Sequence, residues 1–266
     1  MGCNMMWMST SGGVWFQAQA LNMLLLTACL LAAMAKRRAP AYALAALAVG
    51  CRPFSACGFL PLLAYFYGAD RAAGHGPLRS LVRQLPGLLP AALIGGAYMW
   101  YNWARFGNIL EFGHNYLPEF TATENGQFHL SYLPQNIKNI LLRPVTIDGQ
   151  GRLSFPYFDG FLFYIANPLY IPLFIRAAGD IRMRRMDGLR RCLLAAILLE
   201  LLLLCAHKTF GGWQFGARYT VDMLPMALAY VLLCGPWEPR PYEKGLGLFA
   251  IAFNVYGALA MTFLYQ

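Results

Sequence analysis

Apolar residues fall in long blocks along this chain, and short clusters rich in arginine, lysine, glycine or proline separate them. A helix that crosses a bilayer needs about 20 apolar residues, with a range of roughly 17–25. Residues 14–35 meet that length and stop at Lys36-Arg37-Arg38. Residues 40–51 and 54–67 follow, parted by Arg52-Pro53; next come 87–104, closing on Trp100-Tyr101-Asn102-Trp103. Beyond a long polar stretch, 105–159, lie further blocks at 160–175, 192–206, 219–234 and 245–265. The pattern predicts an all-α, polytopic transmembrane helix bundle forming a single domain over 1–266, with no internal repeat.

Residues 40–67 are too long for one upright crossing and too short for two ordinary ones. Charge decides how they run, because short cytoplasmic loops are enriched in Lys and Arg. If the chain turns back at Arg52-Pro53, 14 basic residues lie on one side and 6, besides Arg52 itself, on the other; a single crossing would divide them almost evenly. The uneven division makes 40–51 and 54–67 a broken helical hairpin with Arg52 at its tip. The stretches 1–13, 105–159 and 208–218 then share the outer face with that tip, and 176–191 lies inside. Within the outer loop, Leu133, Ile137, Ile140 and Leu141 recur at helical spacing opposite Gln135, Asn136, Lys138 and Asn139. A short amphipathic helix is expected there, lying on the outer membrane surface or packed beneath the loop.

Composition sharpens the class. Hydrophobic residues make up 58% of the chain and charged ones 12%, against about 25% charged in soluble domains. This is the composition of an integral, multi-pass protein of the cell membrane, with membrane lipid as its surroundings. The net charge of +9 is explained by basic loops between apolar blocks, so nucleic acid is not an expected partner. None of the seven cysteines forms a C-x-x-C pair and the four histidines are scattered, so neither a metal nor a cofactor is expected.

Charges inside apolar sequence mark the candidate chemistry, since each is costly unless paired or used. Arg52 lies in Gly50-Cys51-Arg52-Pro53, where the proline frees backbone groups that are tolerated if they line a polar cavity. Its planar guanidinium suits a phosphate at the lipid boundary; a structural ion pair is the other reading. Arg218 and Asp222 sit in a glycine-rich, aromatic stretch, 211–225, at the mouth of an apolar block. They form either an i,i+4 pair anchoring a helix end or part of an anion site. Glu200 stands in the middle of block 192–206, as a functional acid or as a protonated group hydrogen-bonded between helices. Asn102, Arg105, Glu111 and Tyr116 in the outer loop, with Trp213 and Tyr219 beside Arg218, alternate amides, charges and rings. Such rings stack on sugar faces or sit at headgroup level.

Three segments in order, residues 45–53 ending in Arg52-Pro53, residues 101–116 and residues 212–219, resemble bacterial polytopic glycosyltransferases of the GT-C superfamily. The nearest branches are the protein O-mannosyltransferase-like and lipid-A aminoarabinose transferase-like enzymes. The resemblance covers most of the chain. It implies a polyprenyl-phosphate sugar donor, transfer on the outer face, and a cation at the Arg52-Pro53 position near the donor phosphate. In that family the acid proposed as general base lies in a first outer loop, which has no counterpart here. The chain is therefore expected to match the C-terminal portion of such an enzyme, to need an N-terminal companion segment, and to be inactive alone. No residue is assigned as base; Glu111 and Asp159 are the first carboxylates to test. A transporter or flippase for a lipid-linked anion, and an inactive membrane remnant, are the competing readings.

Overall fold

The computed structural model describes residues 2–151, 153–158, 160–209, 211–235 and 238–263. Arg152 of the basic-residue division, the candidate base Asp159 and the end of block 245–265 lie outside the described residues. About 70% of the chain is helical, and strand is confined among the described residues to one antiparallel ribbon, β1 (Thr146–Ile147) with β2 (Leu153–Ser154). The fold is all-α.

A short α1 (Met5–Met8) precedes α2 (Val14–Met34), which reproduces the first predicted block. The hairpin is present. Helix α3 (Arg38–Cys51) ends at Arg52, whose φ and ψ of −144° and 103° take the chain out of the helix. A 3-10 turn, Pro53–Gly58, then leads into α4 (Phe59–Ala72). Pro53 enforces the break, because it has no N–H to continue the ladder. Arg38, at the start of α3, meets Asp70, at the end of α4, at 2.6 Å, so the two arms run antiparallel. Each helical arm is 14 residues, about 21 Å long and shorter than a hydrocarbon core of about 30 Å.

Helix α5 (Pro77–Val82) leads to α6 (Leu85–Phe106), which packs along α3. The polar region carries α7 (Pro118–Thr121) and α8 (Leu133–Leu142). Helix α8 falls where the amphipathic helix was expected, but its buried residues are Asn136, Asn139 and Ile140, while Leu141 and Leu142 are exposed. Asn136 explains the rotation. Its amide donates to the carbonyls of Cys205 and His207 at 2.8 and 2.9 Å, satisfying carbonyls at a helix end that lack partners of their own. So α8 packs beneath the loop.

The block at 160–175 is not one helix. Asn167-Pro168 divides it into α9 (Phe163–Ala166) and α10 (Tyr170–Arg182), and the basic stretch 176–191 is largely taken up by the end of α10 and the start of α11 (Gly188–Cys205). The block at 219–234 also splits, into a 3-10 turn, Arg218–Met223, and α12 (Leu224–Leu233). The last helix is α13 (Pro241–Phe263). Among the described residues, only α2 and α13 are both long and apolar enough to cross a membrane, which supports membrane localisation. Helix α11 has the length, but Arg190, Arg191 and Glu200 interrupt it.

Two apolar cores form. One lies among α2, α3, α4 and α6 around Tyr42 and Phe66. The other gathers α1 and α9 to α12 with Phe161, Phe215 and Tyr230. Helix α2 serves both, giving Cys29 and Ala33 to the first and Leu30 to the second. The candidate site lies on this seam.

Candidate functional site

At the hairpin tip Arg52 Nε donates to Asp222 Oδ2 at 2.8 Å. Oδ1 of Asp222 accepts from the amides of Gln19 and Asn22, at 3.4 and 3.3 Å. The Arg218–Asp222 pair, one of the two readings of that spacing, is not formed. The reason is local: 218–223 is a 3-10 turn rather than α-helix, so residues four apart do not stack as they would on an α-helical face. Asp222 instead reaches across the seam to the hairpin.

Arg218 is held by neutral groups. Its Nε donates to the Gly211 carbonyl at 2.6 Å and its Nη1 to Gln19 Oε1 at 2.8 Å. Its backbone N–H donates to Gln214 Oε1 at 2.7 Å. Both arginines converge on one ring: the Arg52 guanidinium lies 4.7 Å and that of Arg218 4.9 Å from the Tyr219 centroid. Arg218 also lies 5.1 Å over Phe16, on the first turn of α2. Among the described residues Asp222 is the only carboxylate paired with either guanidinium, so the cluster holds two cations against one paired anion.

Local sequence sets this geometry. The turn 211–217 is deeply buried apart from Gly212 and Trp213. Gly216 has φ +75°, and a Cβ there would come within 2.5 Å of Ala166 Cβ; only glycine fits both conditions. The turn is thus packed against α9 rather than offered to solvent. Asn4 fastens it, donating from its side chain to the Phe215 carbonyl at 2.6 Å.

A narrow apolar groove is lined by residues of α2, α4, α11 and α12, including Leu26, Leu62, Leu193 and Met226. Ser55, Glu200 and Tyr65 are among its lining residues that carry polar groups. Ser55 joins groove and cluster, because its hydroxyl donates to Asn22 Oδ1 at 2.8 Å. Glu200 is buried, and neither carboxyl oxygen has a hydrogen-bond partner. The interhelical hydrogen bond considered for it is therefore not made.

The remaining sequence candidates lie elsewhere. Asn102 is buried and staples the end of α6 by donating to the Ile109 carbonyl at 3.2 Å. Glu111 accepts from Gly113 N–H at 2.6 Å and from the Asn115 amide at 2.8 Å. The Asn115 hydrogen bond, before any nearby charge, holds its carboxyl below the usual range, so Glu111 is an ionised loop clasp and a weak base. Arg105 and Tyr116 form an exposed group with Phe106. Trp213 packs on Tyr157 and Phe158, away from the arginines. Arg52, Arg218, Tyr219 and Asp222 are the candidates brought together.

Gln19, Asn22 and Ser55 were not singled out in the sequence. The signal was present: two amides three residues apart inside an apolar block, which share a helical face and are costly in a membrane unless partnered. His207 also borders the cluster, its ring 6.1 Å from Tyr219 and 4.8 Å from Phe128. Gln127 donates to its Nε2 at 3.0 Å and its Nδ1 donates to the Thr209 carbonyl at 2.7 Å. Burial pushes its pKa down to about 4, so the ring is neutral at pH 7. No family model, curated protein or solved structure gives a significant match to this chain.

Proposed function

We propose that this chain binds a polyprenyl-phosphate sugar at the hairpin tip as part of a GT-C-like membrane glycosyltransferase. The observation that carries the reading is the convergence of Arg52 and Arg218 on Tyr219, in a cluster that Ser55 joins through Asn22 to an apolar groove. An isoprenoid chain lies in the groove and its phosphate meets the two guanidinium groups. Buried Arg218, lacking a carboxylate partner among the described residues, is then neutralised by the ligand, as a buried cation requires. The protein is polytopic in this reading, with the tip and residues 105–159 on the outer face and the Arg38–Asp70 end of the hairpin inside.

In the reaction an acceptor hydroxyl oxygen attacks the anomeric carbon, and the bond from that carbon to the phosphate oxygen breaks. The bonding pair leaves with the lipid phosphate, and the hydroxyl proton passes to a base. Arg52 and Arg218 stabilise the charge that grows on the departing phosphate. Asp222 orients Arg52 and leaves its two Nη groups directed at the ligand.

The test is binding of undecaprenyl phosphate to the purified chain in detergent. Arg52→Met and Arg218→Met should each weaken it about tenfold or more, since a charged hydrogen bond is worth about 1.5–3 kcal/mol. Arg52→Lys keeps the charge beside Asp222 but loses the planar fork, so it should bind weakly while remaining folded. Arg185→Met, at the basic end, should bind as the unaltered chain does. Unchanged affinity in all three outer variants would retire the reading. The unpartnered Glu200 carboxyl favours one second reading, a proton-coupled flippase for the same lipid; vesicle assays showing pH-driven lipid movement abolished by Glu200→Gln would select it.

A further inference from the structure

A second pocket lies on the other side of the first turn of α2. Its walls are Trp15, Phe106, Phe112, His114 and Tyr116, and Arg105 supplies its charge. Trp15 faces this pocket, while its neighbour Phe16 lies under Arg218 in the first site. The volume is about 270 Å³, just below the range of roughly 300–1,000 Å³ typical for drug-sized ligands. That is room for one six-membered ring.

The pocket is built, and is not a scatter of interfacial rings. Gly107 and Gly113, at φ +68° and +89°, fold the chain back over the end of α6. The Asn102 staple and the Glu111 clasp hold that fold. Phe106 and Tyr116 stack at 5.5 Å with planes 20° apart, and Trp15 meets His114 at 5.2 Å. The Arg105 guanidinium is fixed 4.7 Å over Phe106 and 5.2 Å over Tyr101. Its Nη1 donates to the Tyr101 hydroxyl at 3.2 Å, and no carboxylate pairs with it among the described residues. Burial lowers the His114 pKa, and the positive charge of Arg52 adds to that, so His114 contributes a neutral ring.

Aromatic walls accept the C–H face of a pyranose, and a ring-stacked guanidinium pairs with phosphate or carboxylate. We infer that this pocket binds a single sugar ring bearing an anionic group, at a site separate from Arg52 and Arg218. As the place of the acceptor it rests on the glycosyltransferase reading; as a binding site it does not. The same chemistry is offered by a free sugar phosphate and by an anionic glycolipid headgroup.

Calorimetry on the purified chain tests this with glucose 1-phosphate, methyl glucoside and inorganic phosphate. Glucose 1-phosphate should bind at least tenfold more tightly than either of the others. Arg105→Met and Trp15→Leu, both at exposed positions, should each weaken it about tenfold. Nanodiscs carrying a glucuronosyl diacylglycerol identify the source: competition with glucose 1-phosphate assigns a lipid headgroup, and no competition assigns a soluble sugar phosphate, the site holding in both cases. Arg105→Met should leave undecaprenyl phosphate binding intact while glucose 1-phosphate binding falls, so failure of the donor reading is seen separately. Equal affinity for inorganic phosphate and glucose 1-phosphate, unaltered affinity in Trp15→Leu or Arg105→Met, or no binding of any probe would overturn the inference.

Discussion

The α3–α4 hairpin carries an arginine–aspartate pair at each end, and the two pairs differ in what surrounds them. At the open end Arg38 and Arg83 both reach Oδ1 of Asp70, at 2.6 and 3.0 Å. Asp70 itself is buried and the Arg38 side chain is 20% exposed, but the Arg83 side chain is 45% exposed, so water shares the charge of one partner. At the tip Arg52 alone reaches Asp222, whose side chain is 2% exposed, and amides from α2 occupy the other oxygen. The two closest pairs are similarly covered; what differs is the further partner, an exposed guanidinium at Asp70 and buried neutral amides at Asp222. A part-exposed arginine such as Arg83 adds about 0–1 kcal/mol, whereas removing one partner of a buried pair costs about 3–5 kcal/mol. The open end fastens the hairpin; the tip holds charge where it can act on a ligand.

The largest expected effect therefore lies at the tip. Asp222→Leu strands Arg52 and two buried amides, and should cost about 3–5 kcal/mol of stability. Asp70→Leu leaves Arg38 and Arg83, of which Arg83 is 45% exposed and can take water in place of the carboxylate, and should cost less than Asp222→Leu. Thermal unfolding of both variants in the same detergent measures the difference. Equal losses would break the contrast between the two ends.

That contrast was half legible in the sequence. Arg52-Pro53 gave the break, and the division of basic residues gave the return of the chain, which the Arg38–Asp70 pair bears out. Which carboxylate Arg52 would meet was not legible, because Asp222 lies 170 residues away and i,i+4 spacing pointed to Arg218 instead. Spacing reports partners only once the helix type is known, and a 3-10 turn changes the answer. The burial of the Gly-rich turn was not legible either. Glycine and aromatic residues occur in exposed loops, but here glycine at φ +75° serves close packing against Ala166. The blocks at 160–175 and 219–234 were read by hydropathy, which is blind to Asn167-Pro168 and to the turn at Arg218–Met223.

An intermediate effect should appear on acidification, next to the tip alone. His207 is neutral in the folded chain, with its pKa depressed to about 4 from 6.5 by burial. The unfolded chain binds the proton first as pH falls. The stability supplied by neutral His207 is thus complete above about pH 6.5 and is lost as pH falls towards 4, amounting to roughly 3 kcal/mol at 1.36 kcal/mol per unit. Protonation at Nε2 also removes the bond from Gln127 and loosens the Phe128–His207 bridge. Hydrogen exchange of residues 118–132 should rise between pH 6.5 and 4.5, and His207→Asn should flatten that rise. Protection that stays constant across this range would show that the region beside the tip is not held by a neutral histidine.

The smallest effect belongs to the open end, at Lys36. Its Nζ donates to the Tyr65 hydroxyl at 2.6 Å and lies 4.5 Å over the same ring, tying the end of α2 to α4 at an exposed position. Lys36 also has φ +59°, a left-handed conformation that costs a residue with a Cβ about 1–2 kcal/mol. The conformation ends α2, since the N–H groups of Lys36 and Arg37 return to the carbonyls of Ala33 and Ala32, the arrangement in which glycine is the usual residue. Lys36→Met keeps the strain and loses the tie, and should cost about 0.5 kcal/mol. Lys36→Gly loses the same tie but removes the strain, so it should match or slightly exceed the stability of the unaltered chain. A loss above about 2 kcal/mol in Lys36→Met would mean that water does not relieve charge at this end, and the two ends of the hairpin would then be alike in energy as well as in chemistry.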